Sequence, residues 1–104
     1  MSQAANPMRG EATLAIAGVP RLLRPTFTAL VAAEEELGSL FALVERASAG
    51  ELRLAEMAAL FWHCLADREQ IGRDAVGQAI AAQGIAECTR PLRMLLEQIL
   101  KGGA

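Results

Sequence analysis

The sequence predicts a mainly α-helical fold with a short N-terminal β-hairpin, an α+β domain arranged as a compact bundle of about five short helices. Three observations point there. Ala and Leu supply 36 of the 104 residues, against one Trp, three Phe and no Tyr, so the apolar mass is aliphatic and favours helix. The strict apolar alternation that marks a strand runs from Glu11 to Ala17. Beyond Pro25 the apolar spacing changes to three and four.

A chain of this length makes one domain, burying roughly 60–70% of the surface its unfolded form exposes. Residues 1–8 read as a disordered tail, 9–25 as the hairpin and 26–101 as the bundle, within a single domain spanning 9–104. In the ribbon, Ala12, Leu14 and Ile16 alternate with Glu11, Thr13 and Ala15 up to Gly18. A return strand spans Arg21 to Arg24 and Pro25 stops it, since proline donates nothing to a ladder. Two strands are marginal alone, so the ribbon has to pack on the helices.

Thr26 is placed to cap the first helix, whose Phe27, Leu30, Val31 and Leu37 fall near one stripe and which Gly38 terminates. Ser39 caps a second, short helix carrying Leu40, Phe41, Leu43 and Val44 and ending around Ser48 to Gly50. The most apolar helix runs from Arg53 or Leu54 to Ala66, with Leu54, Met57, Ala58, Phe61 and Leu65 in phase, and is expected at the centre. A polar turn from Asp67 to Gln70 precedes a small-residue helix, Arg73 to Gln83, stopped by Gly84. The last helix runs from about Ala86 to Leu100, with Pro91 kinking it or marking its true start.

Charge and motif content exclude several classes. Ten basic and twelve acidic residues leave a formal charge of −2, with no basic block to neutralise a phosphate backbone, so nucleic acid is not an expected partner. No uncharged apolar run approaches the roughly 18–20 residues that span a bilayer, and the N-terminus lacks the order of a signal peptide, so no membrane role is expected either. Cys64 and Cys88 read as reduced thiols packed as small hydrophobes.

Candidate chemistry is sparse. His63 and Cys64 are adjacent and diverge by about 100° on a helix, and neither a CxxC nor an HxxxH spacing supports zinc. A Cys–His nucleophile would have to join His63 to Cys88 across two helices. Gly72 and Gly77 lack the lysine and strand of a phosphate cradle. Glu34, Glu35 and Glu36 fan over roughly 200° and cannot converge on one substrate; they read as a solvated face or a surface for a basic partner. Ser39 faintly resembles the serine that carrier proteins load with phosphopantetheine, but the preceding aspartate is absent and an N-cap is the simpler role. The chain therefore reads as non-enzymatic, with no cofactor and no metal.

Arg9-Gly10-Glu11-Ala12-Thr13-Leu14, then Gly18, then Leu23-Arg24-Pro25-Thr26-Phe27-Thr28-Ala29-Leu30, then Glu34-Glu35-Glu36-Leu37-Gly38 form an ordered opening. Leu54 to Trp62 follows as an apolar helix ending in tryptophan. Over roughly Asn6 to Gly84 this pattern resembles the small tail-module proteins of gene transfer agents and siphophage-like prophages, a family described both as tail tube proteins and as tail-assembly-chaperone-like.

The resemblance implies a bacterial cytoplasmic protein, or one incorporated in a phage-like particle, that serves tail morphogenesis with the tape measure or tail tube protein as partner. Some eleven strand residues are too few for a barrel-forming tube wall, which favours an assembly factor. A tube or connector subunit and a carrier-type or regulatory binding module are the alternatives. The expected contact residues are Trp62, at the margin of the apolar helix, and Leu92, Leu95, Leu96 and Ile99 on the C-terminal stripe, surfaces that homo-oligomerisation would share.

Overall fold

The alternation near the N-terminus forms the first element of the computed structural model, which describes residues 11–101; the tail expected over 1–8 lies outside the described residues. Strand β1 (Ala12–Ile16) turns Ala12, Leu14 and Ile16 inward and Thr13 and Ala15 outward. Strand β2 (Val19–Leu23) returns antiparallel with Val19 opposite Ile16, leaving Ala17 and Gly18 as a two-residue turn. Both have positive φ, 53° and 81°, as a type I′ turn requires. Ala17 is the costly one, because its Cβ crowds the following carbonyl.

The return strand begins at Val19 rather than at Arg21, because Pro20 is tolerated inside it. Ladder bonds alternate along an antiparallel pair, and Pro20 stands opposite Ala15, one step from the turn-closing pair, where the backbones face outward. The Ala15 carbonyl accordingly accepts from the Gln83 side chain at 2.6 Å.

The outer edge of β2 is closed as well. Arg24 N donates to Cys64 O at 2.6 Å, Ala66 N donates to Leu22 O at 3.0 Å, and Leu23 bridges Leu65. A stub from the middle of the chain thus supplies the third strand that a two-stranded ribbon needs. At the ribbon's open end the buried Glu11 accepts from the Arg24 guanidinium at 3.0 Å.

Local chemistry sets the helix starts. Helix α1 (Phe27–Leu37) is capped by Thr26, whose Oγ1 accepts from Ala29 N, and ends at Gly38 with φ 83°. Helix α2 (Leu40–Ser48) is capped by Ser39, whose Oγ accepts from Ala42 N, while a Glu34 carboxylate oxygen takes Leu40 N at 3.2 Å. Two orphan donors of α2 are thereby satisfied. Helix α3 (Leu54–Cys64) is central, with Met57, Leu60, Phe61 and Cys64 all buried. It ends at Cys64 because Leu65 turns extended to meet β2.

Helix α4 (Arg73–Gln83) buries Val76, Ala79 and Ile80 and stops at Gly84. Helix α5 (Ile85–Lys101) is continuous through Pro91, so the proline does not mark its start. Pro91 has no N–H for the Glu87 carbonyl, but that residue is exposed and water can serve it. One apolar cluster draws on the ribbon and all five helices, with Leu14, Leu23, Leu43, Phe61, Ile80 and Leu95 among its buried members.

The phase of α1 departs from expectation. Its buried residues are Ala29 and Ala33, and its principal neighbour is α3. Small side chains let the two helices approach closely, and that choice rotates the larger apolar residues outward: Phe27 is 83% exposed and Val31 38%.

Candidate partner-binding surface

The expected contact residues divide between two places: on α5, Leu92 and Leu96 line one groove and Ile99 the groove beside it, while Trp62 on α3 lines neither. Leu95 is closed within the chain's own core at 0% exposed, and Leu92, 7% exposed, packs on that core with only an edge in the groove along α5, because the inner side of the α5 stripe is what holds that helix to the bundle. Leu96 and Ile99 are half-buried against the same core. Trp62 is committed internally: its Nε1–H donates to the Ile71 carbonyl at 2.8 Å, and the Arg73 guanidinium lies 4.4 Å from its ring centroid. The indole therefore ties α3 to the start of α4.

Where α1, α2 and the end of α5 meet there is an apolar groove of about 380 Å³. Helix α1 contributes Phe27, Leu30, Val31 and Glu34, spaced i, i+3, i+4 and i+7 so that they stand on one face. Leu40 and Val44 of α2 are buried, while Phe41 is 66% exposed and Leu100 of α5 is 55% exposed. A second depression of about 270 Å³ includes Thr28, Ala32 and Glu35 along with Phe27 and Val31. Phe27 and Val31 thus form a ridge between two hollows, one carrying Glu34 and the other Glu35. A further groove of about 370 Å³ runs on along α5 through Leu96 and Arg93, sharing Val44 and Leu100 with the first.

Taking about 200 Å² for a whole phenylalanine, the two exposed rings alone present roughly 300 Å² of apolar area. That is on the scale of the largest patch a monomer ordinarily shows, roughly 300–600 Å², a size that is often functional. Phe27 and Phe41 were not among the expected contacts. The available signal was that α1 carries two competing apolar stripes, Ala29–Ala33 and Phe27–Leu30–Val31, and one helix cannot bury both against the same neighbour.

The polar clusters are structural in geometry. Buried His63 shares a hydrogen bond of 2.8 Å between its Nε2 and Glu36, whose other oxygen accepts from Arg73 at 2.7 Å. Hydrogen bonds from Arg73 and then His63 hold the Glu36 carboxyl down at about 2. This triad joins the end of α1 to α3 and α4. Burial pushes the Cys64 thiol up to about 12 and raises Cys88 too, so neither is a ready nucleophile at neutral pH. A groove of about 590 Å³ beside β1 is lined in part by Glu87 and Arg90, charges of both signs, and lacks the large exposed apolar side chains of the α1 ridge. Among the described residues no group of three or more His, Cys, Asp or Glu side chains is placed to hold a metal ion, and no helix is long and apolar enough to cross a membrane.

A family model described as phage tail tube protein, GTA-gp10, matches residues 9–102. No curated protein and no solved structure matches the chain.

Proposed function

The chain belongs to the phage tail tube protein family GTA-gp10, and from that premise we propose that it is a non-enzymatic assembly factor, one that shields an apolar segment of the tape measure or tail tube protein until the tail is built. The observation that carries this reading is the outward stripe of α1. A small bundle that buries alanines and leaves Phe27 83% exposed forgoes roughly 1.5–3 kcal/mol of burial at that residue alone. Such an arrangement suits a surface that is covered part of the time.

The test is co-expression with the tape measure and tube proteins encoded alongside it. The expected result is more soluble partner that co-purifies with this chain; no change in either partner's solubility would sink the proposal.

A second reading, a subunit of the tube or its connector, is favoured by the family description itself. The strands weigh against a barrel wall: β1 and β2 have five residues each and close with a three-residue stub, whereas a barrel needs many tilted strands in register. Quantifying the chain in purified particles separates the two, since a tube subunit is present in stoichiometric rings and an assembly factor is depleted.

A further inference from the structure

We infer that the Phe27–Val31 ridge and its two hollows receive an amphipathic helix of a second tail protein, one whose apolar stripe is flanked by Lys or Arg. The inference rests on the assembly-factor reading and names the chemistry of its partner. Three features of the surface select that occupant. The walls are all helical, so their backbone groups are spent within α1, α2 and α5 and an extended segment would find no ladder to join. A ridge of side chains four residues apart on one helix is what a second helix accepts between its own rows.

The charge is one-sided. Glu34 sits in one hollow, pinned there by its bond to Leu40 N, and Glu35 sits in the other, while no basic side chain lines either. A second copy of this chain docking through the same patch would bring two acidic faces together with no basic side chain lining either to pair with Glu34 or Glu35, which disfavours that pairing. A partner with basic flanks gains from both carboxylates.

The experiment places a photo-crosslinking benzoylphenylalanine at position 27 in full-length protein, co-produced with the tail proteins of its own gene cluster, and maps the crosslinked peptide by mass spectrometry. Phe27 is 83% exposed, so the replacement should leave the thermal melt unchanged. The expected product joins position 27 to a stretch of another tail protein with apolar residues three and four apart and Lys or Arg beside them. Its yield should fall about tenfold in Glu35→Arg.

A crosslink to a second copy, a crosslink to a stretch without basic residues, or a yield unmoved by Glu35→Arg would overturn the inference. If a tail protein is still solubilised but position 27 captures nothing, the surface is wrong and the assembly role stands. If no tail protein is solubilised, both fall together.

Discussion

Trp62→Phe distinguishes an internal tie from a docking residue. The substitution keeps a ring in the seam between α3 and α4 and removes one donor. The indole N–H reaches the Ile71 carbonyl at 2.8 Å, and Ile71 is buried. A net hydrogen bond contributes about 0.5–1.5 kcal/mol, and more where its acceptor is left dry. Arg73, 4.4 Å from the ring centroid, gives up part of a cation–π contact worth about 0.5–1 kcal/mol at a partly exposed site. The expected loss is therefore about 1–2 kcal/mol, or roughly 4–16 °C in melting temperature for a domain of this size. Urea unfolding followed by far-ultraviolet circular dichroism is the assay, because the chain's only tryptophan disappears with the substitution. Stability within about 0.5 kcal/mol of the parent, combined with lost capture of a tail partner, would refute the internal assignment and restore Trp62 to the contact surface.

Other perturbations test separate parts of the structure. Ala17→Asn should raise stability by about 0.5–1 kcal/mol, because asparagine tolerates the positive φ of the type I′ turn better than alanine; a lower melting temperature would contradict that turn. Glu36 is held at about 2 in the folded chain against an ordinary 4.5, so the unfolded state takes its proton more readily. Its contribution is full above about pH 4.5 and drains as pH falls toward 2. With the side chain 37% exposed, solvent screening keeps that contribution at about 1 kcal/mol or less. Glu36→Gln should lower the urea midpoint at neutral pH and converge on the parent in acid; a constant gap would exclude this ionic origin. Both cysteines are buried, so an aromatic disulfide reagent at about pH 8 should titrate neither until guanidinium unfolds the chain, and a fast native reaction would disprove their burial.

Whatever depends on neighbours in sequence was legible. Thr26 and Ser39 cap their helices and Gly38 and Gly84 close theirs, because cap chemistry needs only a few adjacent residues. The extent of α4 and the central position of α3 follow from apolar spacing in the same way. The phase of α1 was not legible, since the choice between its alanine stripe and its phenylalanine stripe is made by the close approach of α3, a partner distant in sequence. For the same reason Leu95 looked available on α5 although the bundle buries it fully, whereas Leu92, Leu96 and Ile99 each keep an edge on the surface grooves. Pro20 misplaced the start of β2, because a proline's fitness in a strand depends on which way its backbone faces. The stub that pairs with β2 left no pattern at all: Cys64 to Ala66 reads as the tail of an apolar helix until the ribbon draws it straight.

That stub also sets a clock. The ribbon leaves the ribosome early, yet its outer edge is sealed by residues synthesised much later; the Arg21–Asp67 ion pair spans 46 positions. At about 5–20 residues per second the ribbon waits roughly 2–9 s for its third strand. During that interval the edge of β2 is an open template for any other nascent chain nearby. Ribosome-arrested chains stopped before Cys64 should leave the Arg24 amide unprotected from exchange, whereas chains extended past the stub should protect it. A small tail-family protein thus carries a vulnerable period of its own, and its length is set by translation.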